Sequence, residues 1–481
     1  MKSWHFLGCL LPALMLAGCA PPMPHLAKPT PLQDLQLGSD LTQKKSSVAA
    51  VADWWRPLLN QPEQNIMQLA LEKNPDMLAA KARIALALSA LREAGAQREP
   101  QLQGTGQIGV SRWTKNQFYL PPYAGETSWN NSLKFDFSFH LDLWGKEQEQ
   151  VKEARLRLQA AEQQRRAARL ILENAVLQQL LAIDASAAIL QRLQAEQHIL
   201  QRLEQIEKER QQHGLSDSLL SLASVARLAG LEQEIAAQKA KYDSNRQALA
   251  TLCGVGVQLP LVLRHYQPNL LQTHWQQPST VPAEWIAERP DIVAQRMTIK
   301  AAAAAVHIAR DAYYPDINLV AFAGGLAAAG GLFTFLHPGS LQAGVGPAIS
   351  LPLFTGGRLR GHFDASQAKY QLARAAYQKS LLQALQQVAF SLRQLQSASQ
   401  EREILQRRAQ ALSRSAALQQ QRYQAGLSNA LPVMTAQLPI IDNQMQQIRL
   451  DTYARQNLIK LYAALGGRVI PKTWTGPHSP S

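Results

Sequence analysis

Between Ser132 and Lys146 the chain reads SLKFDFSFHLDLWGK: Leu133, Phe135, Phe137, Phe139, Leu141 and Leu143 alternate with Lys134, Asp136, Ser138, His140 and Asp142. A period of two predicts a strand with one apolar and one polar face. In a soluble sheet the apolar face would cover a core. In an outer-membrane barrel it would meet lipid, and the polar face would line a pore. Long helical stretches follow. No Gly or Pro occurs from Lys146 to His213, or from His362 to Ala425. At 1.5 Å per residue each predicts a helix on the order of 100 Å, which needs a coiled-coil or barrel setting. Leu381, Leu385, Val388, Leu392 and Leu395 step by four and three, an a/d seam. A second stripe at Leu170, Leu177 and Leu181 predicts two partner faces, which suits a cylinder of helices.

The pattern occurs twice. Asn74-Pro75-Asp76 is echoed by Arg289-Pro290-Asp291, Pro100 by Pro315, Leu141–Lys146 by Leu351–Arg358, His213-Gly214-Leu215-Ser216 by Ala425-Gly426-Leu427-Ser428, and Gly254 by Gly466. The spacing of about 210 to 215 residues is that of a duplicated half rather than a solenoid unit. The reading divides the chain into a leader at 1–18, a tether at 19–60, a first repeat at 61–280, a second at 281–467 and a tail at 468–481. Each repeat opens with a short helix (76–98, 291–313) that ends before a Pro. Strands are expected at 101–113 and 129–143, then at 316–326 and 342–353. The long helices are 146–213 and 358–425, and the return helices 216–253 and 428–465, with Pro439 bending the last. Aromatics between the strands (Trp113, Phe118, Tyr119, Tyr123, Trp129, Phe333, Phe335) suit an interfacial girdle. Four strands cannot close a barrel. Other copies must complete them, two giving eight strands and three giving twelve.

The leader decides the environment. Lys2 precedes an apolar run from Phe6 to Leu16, too short to span a membrane as a mature helix, followed by Leu16-Ala17-Gly18-Cys19. The small residues before Cys19 resemble the lipobox of bacterial lipoproteins, which implies cleavage before Cys19 and a covalent lipid on it. Ala20 is compatible with the outer membrane. Cys9 leaves with the leader, so Cys253 has no disulfide partner and reads as a buried apolar residue. The formal charge of +14 alternates with Glu on helix faces and reads as solvated surface. Behind a secretory leader it does not point to nucleic acid. No later segment is long and apolar enough for a transmembrane helix.

Cys19, Trp54-Trp55-Arg56-Pro57-Leu58, the two Pro-Asp helix starts, Leu141-Asp142-Leu143-Trp144-Gly145 and Arg422-Tyr423-Gln424-Ala425-Gly426 together resemble the TolC-like outer membrane factor family, in its OprM/NodT/MdtP-like lipoprotein branch. The resemblance runs from Cys19 to about Gly467. It implies a mixed α and β membrane protein: a homotrimer with a twelve-stranded transmembrane β-barrel, four strands per chain, continuous with a twelve-helix periplasmic α-barrel. The implied role is the exit channel of a tripartite efflux pump, fed by a periplasmic adaptor protein and an inner-membrane transporter. On this reading Phe135, Phe137 and Phe139 face outer-membrane lipid, and Lys134, Asp136 and His140 face the pore. The resemblance also makes Asp217, Arg422, Tyr423 and Thr435 candidates for the periplasmic gate, Thr435 standing where many members carry Asp. The turns Gly214-Leu215-Ser216 and Gly426-Leu427-Ser428 become the adaptor-docking sites.

No H-E-x-x-H, G-x-S-x-G or P-loop occurs, and no Cys/His cluster suggests zinc, so neither enzyme chemistry nor a cofactor or metal is expected. Gly344-Val345-Gly346 lies inside a strand and reads as close packing. Two other readings stand beside the efflux channel: the exit duct of a protein secretion system, and a periplasmic coiled-coil scaffold.

Overall fold

A computed structural model describes residues 20–29, 41–42, 53–116, 124–215, 218–256, 281–327 and 330–468. The leader, Cys19, Phe118, Tyr119, Tyr123, Ser216, Asp217 and the tail beyond Arg468 lie outside the described residues. In chain order the main elements are α1 (Gln61–Lys73), α2 (Pro75–Ala96), β1 (Gln101–Gln107), β2 (Val110–Arg112), β3 (Thr127–Trp129), β4 (Asn131–His140), α3 (Lys146–Gln212) and α4 (Ser218–Leu252). Then come α5 (Glu284–Ala287), α6 (Pro290–Asp311), β5 (Asp316–Ala327), β6 (Leu341–Ser350), α7 (Arg358–Gln424), α8 (Ala430–Thr435) and α9 (Leu438–Ala464). No helix among the described residues is long and apolar enough to cross a membrane.

The chain divides into two compact units. The first comprises 1–29, 83–161 and 295–377, and holds a four-stranded antiparallel sheet in the order β1-β4-β5-β6. The register sets Phe137 opposite Leu102 and Ala321, and Val345 opposite Ala321. The strand expected at 101–113 is interrupted at Ile108 and Gly109, where the buried Asn131 replaces ladder bonds with its side chain. Its Oδ1 accepts from Gly109 N at 3.0 Å, and its Nδ2 donates to Leu332 O at 2.8 Å. Beyond the break, β2 and β3 continue the hairpin in the same register. The strand expected to reach 143 stops at His140 because Asp142 turns to cap α3, accepting from Gln148 N at 2.9 Å. Gly145, at φ +81°, completes the turn. The last strand likewise ends at Ser350 rather than 353.

The second unit comprises 30–82, 162–294 and 378–481. Within α7, Leu381, Ala384, Val388, Leu392, Leu395 and Ala398 form a buried stripe. Leu385 is half-buried, with Ala384 taking its place in the seam. In α3, Leu172, Glu173, Val176, Leu177, Leu180 and Leu181 are all buried, too broad a face for one partner helix. Lower in the same unit, Ile189, Leu193, Leu200 and Leu203 pack with Leu231 of α4 and Leu438, Ile441 and Met445 of α9. The return helix expected over 428–465 is two helices. Gln437 N bonds Met434 O at 3.1 Å, tightening the turn, and Pro439 lies in the first turn of α9. A first-turn proline needs no N–H partner, so Pro439 starts a helix instead of bending one. Cys253 is buried and free, and burial pushes its thiol up to about 11.

An N-terminal fastening in this unit has no counterpart in the hydrophobic pattern. The fully buried Glu173 carboxylate accepts from Trp54 Nε1 at 2.8 Å, Trp55 Nε1 at 3.0 Å and Arg169 Nε at 2.8 Å. Arg169 also pairs with Asp53 at 2.6 Å. Trp54 meets the Tyr462 ring edge-on at 6.2 Å. A Cβ on Gly467, at φ +79°, would strike the Trp54 ring.

Candidate functional site

In the first unit, strand alternation and register together sort the side chains of all four strands. One face carries Leu102, Leu133, Phe135, Phe137, Phe139, Leu319, Ala321, Val345, Pro347 and Ile349. The opposite face carries Gln101, Gln103, Thr105, Lys134, Asp136, Ser138, His140, Asn318 and Ser350. The apolar face is uncovered within the chain: Leu102 is 72% exposed, Phe135 49% and Val345 78%. Lys134, Asp136 and His140 share the polar face, as their spacing predicts. They share it with Val320 and Phe322 of β5, which the sequence reading did not place there. Lys134 Nζ is 2.5 Å from Asp136 Oδ1 and 5.2 Å from the centre of the Phe322 ring. His140 is held on both nitrogens, by Glu147 on one side and by Asp316 at 2.5 Å on the other. Glycines make room for aromatics across strands: a Cβ on Gly344 would meet Phe322, and one on Gly104 would meet Phe135. Gly344 thus has the close-packing role expected of it. Gly346 has nothing within reach.

Among the described residues both outer strands, β1 and β6, have a free edge. In the same unit, residues 20–29 run beside helix ends, with Arg310 Nε donating to Pro21 O at 3.2 Å and Tyr370 donating to Ala27 O at 3.0 Å.

In the second unit the long helices end in matching turns. Gly214 and Gly426 both have φ +70°. Leu215 N bonds Arg210 O at 2.8 Å, and Leu427 N bonds Arg422 O at 2.9 Å, the six-to-one bond of a Schellman cap. Leu215, Leu219, Leu222 and Leu427 are well exposed around these turns. Tyr423 is 45% exposed, and Arg422 is exposed with no ion pair among the described residues. Ser428 Oγ bonds Asn429 O at 3.3 Å, and Asn429 caps α8 through Leu431 N.

Thr435 bonds back to Leu431 O at 2.9 Å, so its hydroxyl serves its own helix. It lines a cavity of about 520 Å³ with Glu196, Arg227, Glu234, Asp442 and Arg449. Arg408 reaches Asp442 at 3.1 Å, and Arg227 and Arg449 lie 3.9 Å from Glu196 and Glu234. Burial raises the Glu196 carboxyl above its ordinary range; Arg227 opposes this, and Glu234 and Asp442 add to it. Glu196, Glu234 and Asp442, from three helices, thus lie around the cavity that Thr435 lines. Glu196 and Glu234 carried no motif that would single them out. Among the described residues no group of three or more His, Cys, Asp or Glu could hold a metal ion.

Residues 66–255 and 281–467 match the family model for outer membrane efflux protein. The chain is 28% identical over 454 residues to the multidrug resistance outer membrane protein MdtP of Escherichia coli O6:H1, covering 90% of each chain. It is 29% identical over 372 residues to the fusaric acid resistance protein FusA of Burkholderia cepacia, covering 76% of this chain and 70% of that one. The solved outer membrane protein VceC of Vibrio cholerae aligns with a TM-score of 0.77 and 27% identity, over 87% of this chain and 99% of that one. The CmeC outer membrane channel of Campylobacter jejuni aligns at 0.80 with 19% identity, over 93% and 95%.

Proposed function

The chain belongs to the outer membrane efflux protein family and works as an efflux channel of the outer membrane; from that premise we propose how the channel is completed, anchored and fed. Three copies close one barrel of twelve strands, with the apolar sheet face toward lipid and the polar face toward the lumen. The observation that carries this reading is the sorting of residues across four strands that, among the described residues, end in two open edges. An edge left open in lipid strands a row of N–H and C=O groups without partners. The strands alternate in direction, so β6 of one copy meets β1 of the next antiparallel. Such a head-to-tail contact closes a ring.

Cys19 carries the lipid anchor. Pro21, two residues on, is held by Arg310 at the end of α6, six residues before β5 begins. The helix turns at Gly214-Leu215-Ser216 and Gly426-Leu427-Ser428 receive a periplasmic adaptor protein, which links the channel to an inner-membrane transporter. Their exposed leucines supply apolar contact, and Gly at each apex admits a second backbone. Arg422, Tyr423, Asp217 and Thr435 belong to the gate region. The Glu196–Glu234–Asp442 group replaces the acid missing at Thr435. The cargo is small molecules that the transporter has already selected, as the names of MdtP and FusA suggest. The channel carries out no reaction.

The anchor is tested by Cys19→Ser. The variant is expected to lose incorporation of labelled palmitate while its barrel still inserts. Unchanged labelling would remove the lipid from Cys19.

A further inference from the structure

Resting on the three-copy reading, we propose a defined joint between copies: β6 of one chain pairs with β1 of the next so that Ser350 lies opposite Gln103, Ile349 opposite Gly104 and Pro347 opposite Gly106. Phe354 then hooks over Glu99 and Pro100 of that next copy.

The inference comes from a joint the chain makes with itself. β4 closes the first half of the sheet and β5 opens the second, and they pair with His140 opposite Asn318. One residue past that pair, Leu141 N bonds Ile317 O at 2.9 Å. Trp144 then stacks on Tyr314, with ring centres 4.9 Å apart and 18° between planes, and donates to Pro315 O at 2.8 Å. Strand, turn and aromatic thus grip the helix-to-strand corner of the following half.

The same parts recur at the free edges. β4 and β6 end at His140 and Ser350, and Leu141 and Trp144 recur as Leu351 and Phe354, all 210 residues apart. β1 and β5 begin at Gln101 and Asp316, and Pro100 recurs as Pro315, both 215 apart. Shifting the His140–Asn318 pair by these two offsets gives Ser350 opposite Gln103. The result passes a check it was not built to pass. The sum of paired numbers has to be odd for apolar faces to continue across the joint, and this register puts Ile349 beside Gly104 and Ser350 beside Gln103. A shift by one residue would turn one sheet face over. The same parity sets the outward-pointing N–H and C=O groups of the two edges against each other. Pro347, which has no N–H to give, faces Gly106 across the joint, so that pair keeps one ladder bond instead of two.

The aromatic supplies the second observation. Trp144, with its corner in place, is 44% exposed; Phe354, whose corner would come from another chain, is 92% exposed, and Leu353 beside it 81%. The corresponding corner on the next copy is Glu99-Pro100, the counterpart of Tyr314-Pro315.

The test is disulfide trapping in outer-membrane vesicles with the double variant Ser350→Cys/Gln103→Cys, against Ser350→Cys/Gln101→Cys and Ser350→Cys/Thr105→Cys. Within one chain the two sites are separated by two intervening strands, about 14 Å, beyond disulfide reach. The native Cys253 is buried. Oxidation is expected to give linked dimers and trimers chiefly from the Ser350–Gln103 pair. Dominant linking by a shifted pair, in particles that still contain three chains, overturns the register and leaves the three-copy reading standing. No linking by any pair in such particles overturns the edge joint itself. One-chain particles overturn both. Phe354→Ala gives a second reading: it should lower the temperature at which the particle dissociates in detergent, and an unchanged temperature removes the hook.

Discussion

Phe137→Arg is expected to stop the channel from assembling. Phe137 is flanked on the apolar face by Leu102 and Ala321, with no polar group beside it on that face. Arginine on the lipid side of a barrel strand costs about 2–4 kcal/mol near the bilayer midplane. In the proposed three-copy particle that becomes roughly 6–12 kcal/mol, comparable to the whole stability of a folded domain. Ser138→Arg, one residue along on the polar face opposite Gln101 and Val320, places the same charge toward the proposed lumen and is expected to insert normally. Outer-membrane fractionation and drug susceptibility read both variants. Normal insertion of Phe137→Arg, or equal damage from both, would mean that the face assignment is wrong.

Glu173→Ala is expected to be the most damaging single change in the helical unit. It leaves the Trp54 and Trp55 indole N–H groups buried without an acceptor and strips Arg169 of one of its two carboxylates. Each buried donor left without a partner costs about 1–3 kcal/mol, while Arg169, partly exposed, keeps Asp53. The fastening of residues 53–55 should loosen first, seen as faster proteolysis ahead of α1. The pH dependence carries a distinct sign. Burial pushes the Glu173 carboxyl above its ordinary range, and the bonds from Arg169, Trp54 and Trp55 oppose that without cancelling it. The folded state therefore holds this proton more tightly than the unfolded one. Stability from this group falls as pH rises from the unfolded value of 4.5 through the raised folded value. Glu173→Gln, which cannot titrate, should flatten unfolding midpoints across that window. A midpoint that instead rises with pH in the wild type and not in the variant would reverse the assignment.

The parts legible in the sequence were those with a strong period. Alternation from Leu133 to Phe139 identified a two-faced strand, and the long helices expected at 146–213 and 358–425 are 67-residue helices that match to within a residue at each end. The echoes at Gly214 and Gly426 located turns that share one backbone conformation. What escaped was side-chain chemistry acting against the period. Asn131 interrupts a ladder that alternation would continue, and Asp142 ends a strand by capping the next helix. Pro439 reads as a bend until Ala436 and Gln437 are seen to break the helix before it. Glu173 is one acid on a long polar helix, and only the distant Trp54 and Trp55 distinguish it. Val320 and Phe322 fall on the polar face through pairing with β4, which no local pattern in an Ala- and Gly-rich strand reveals.

The central claim is that four strands per chain are completed by two further copies. The direct measurement is the mass of the detergent-extracted particle from outer membranes, by light scattering corrected for bound detergent. At 53.1 kDa per chain, the account predicts a particle of three chains. A particle of one or two chains would contradict it.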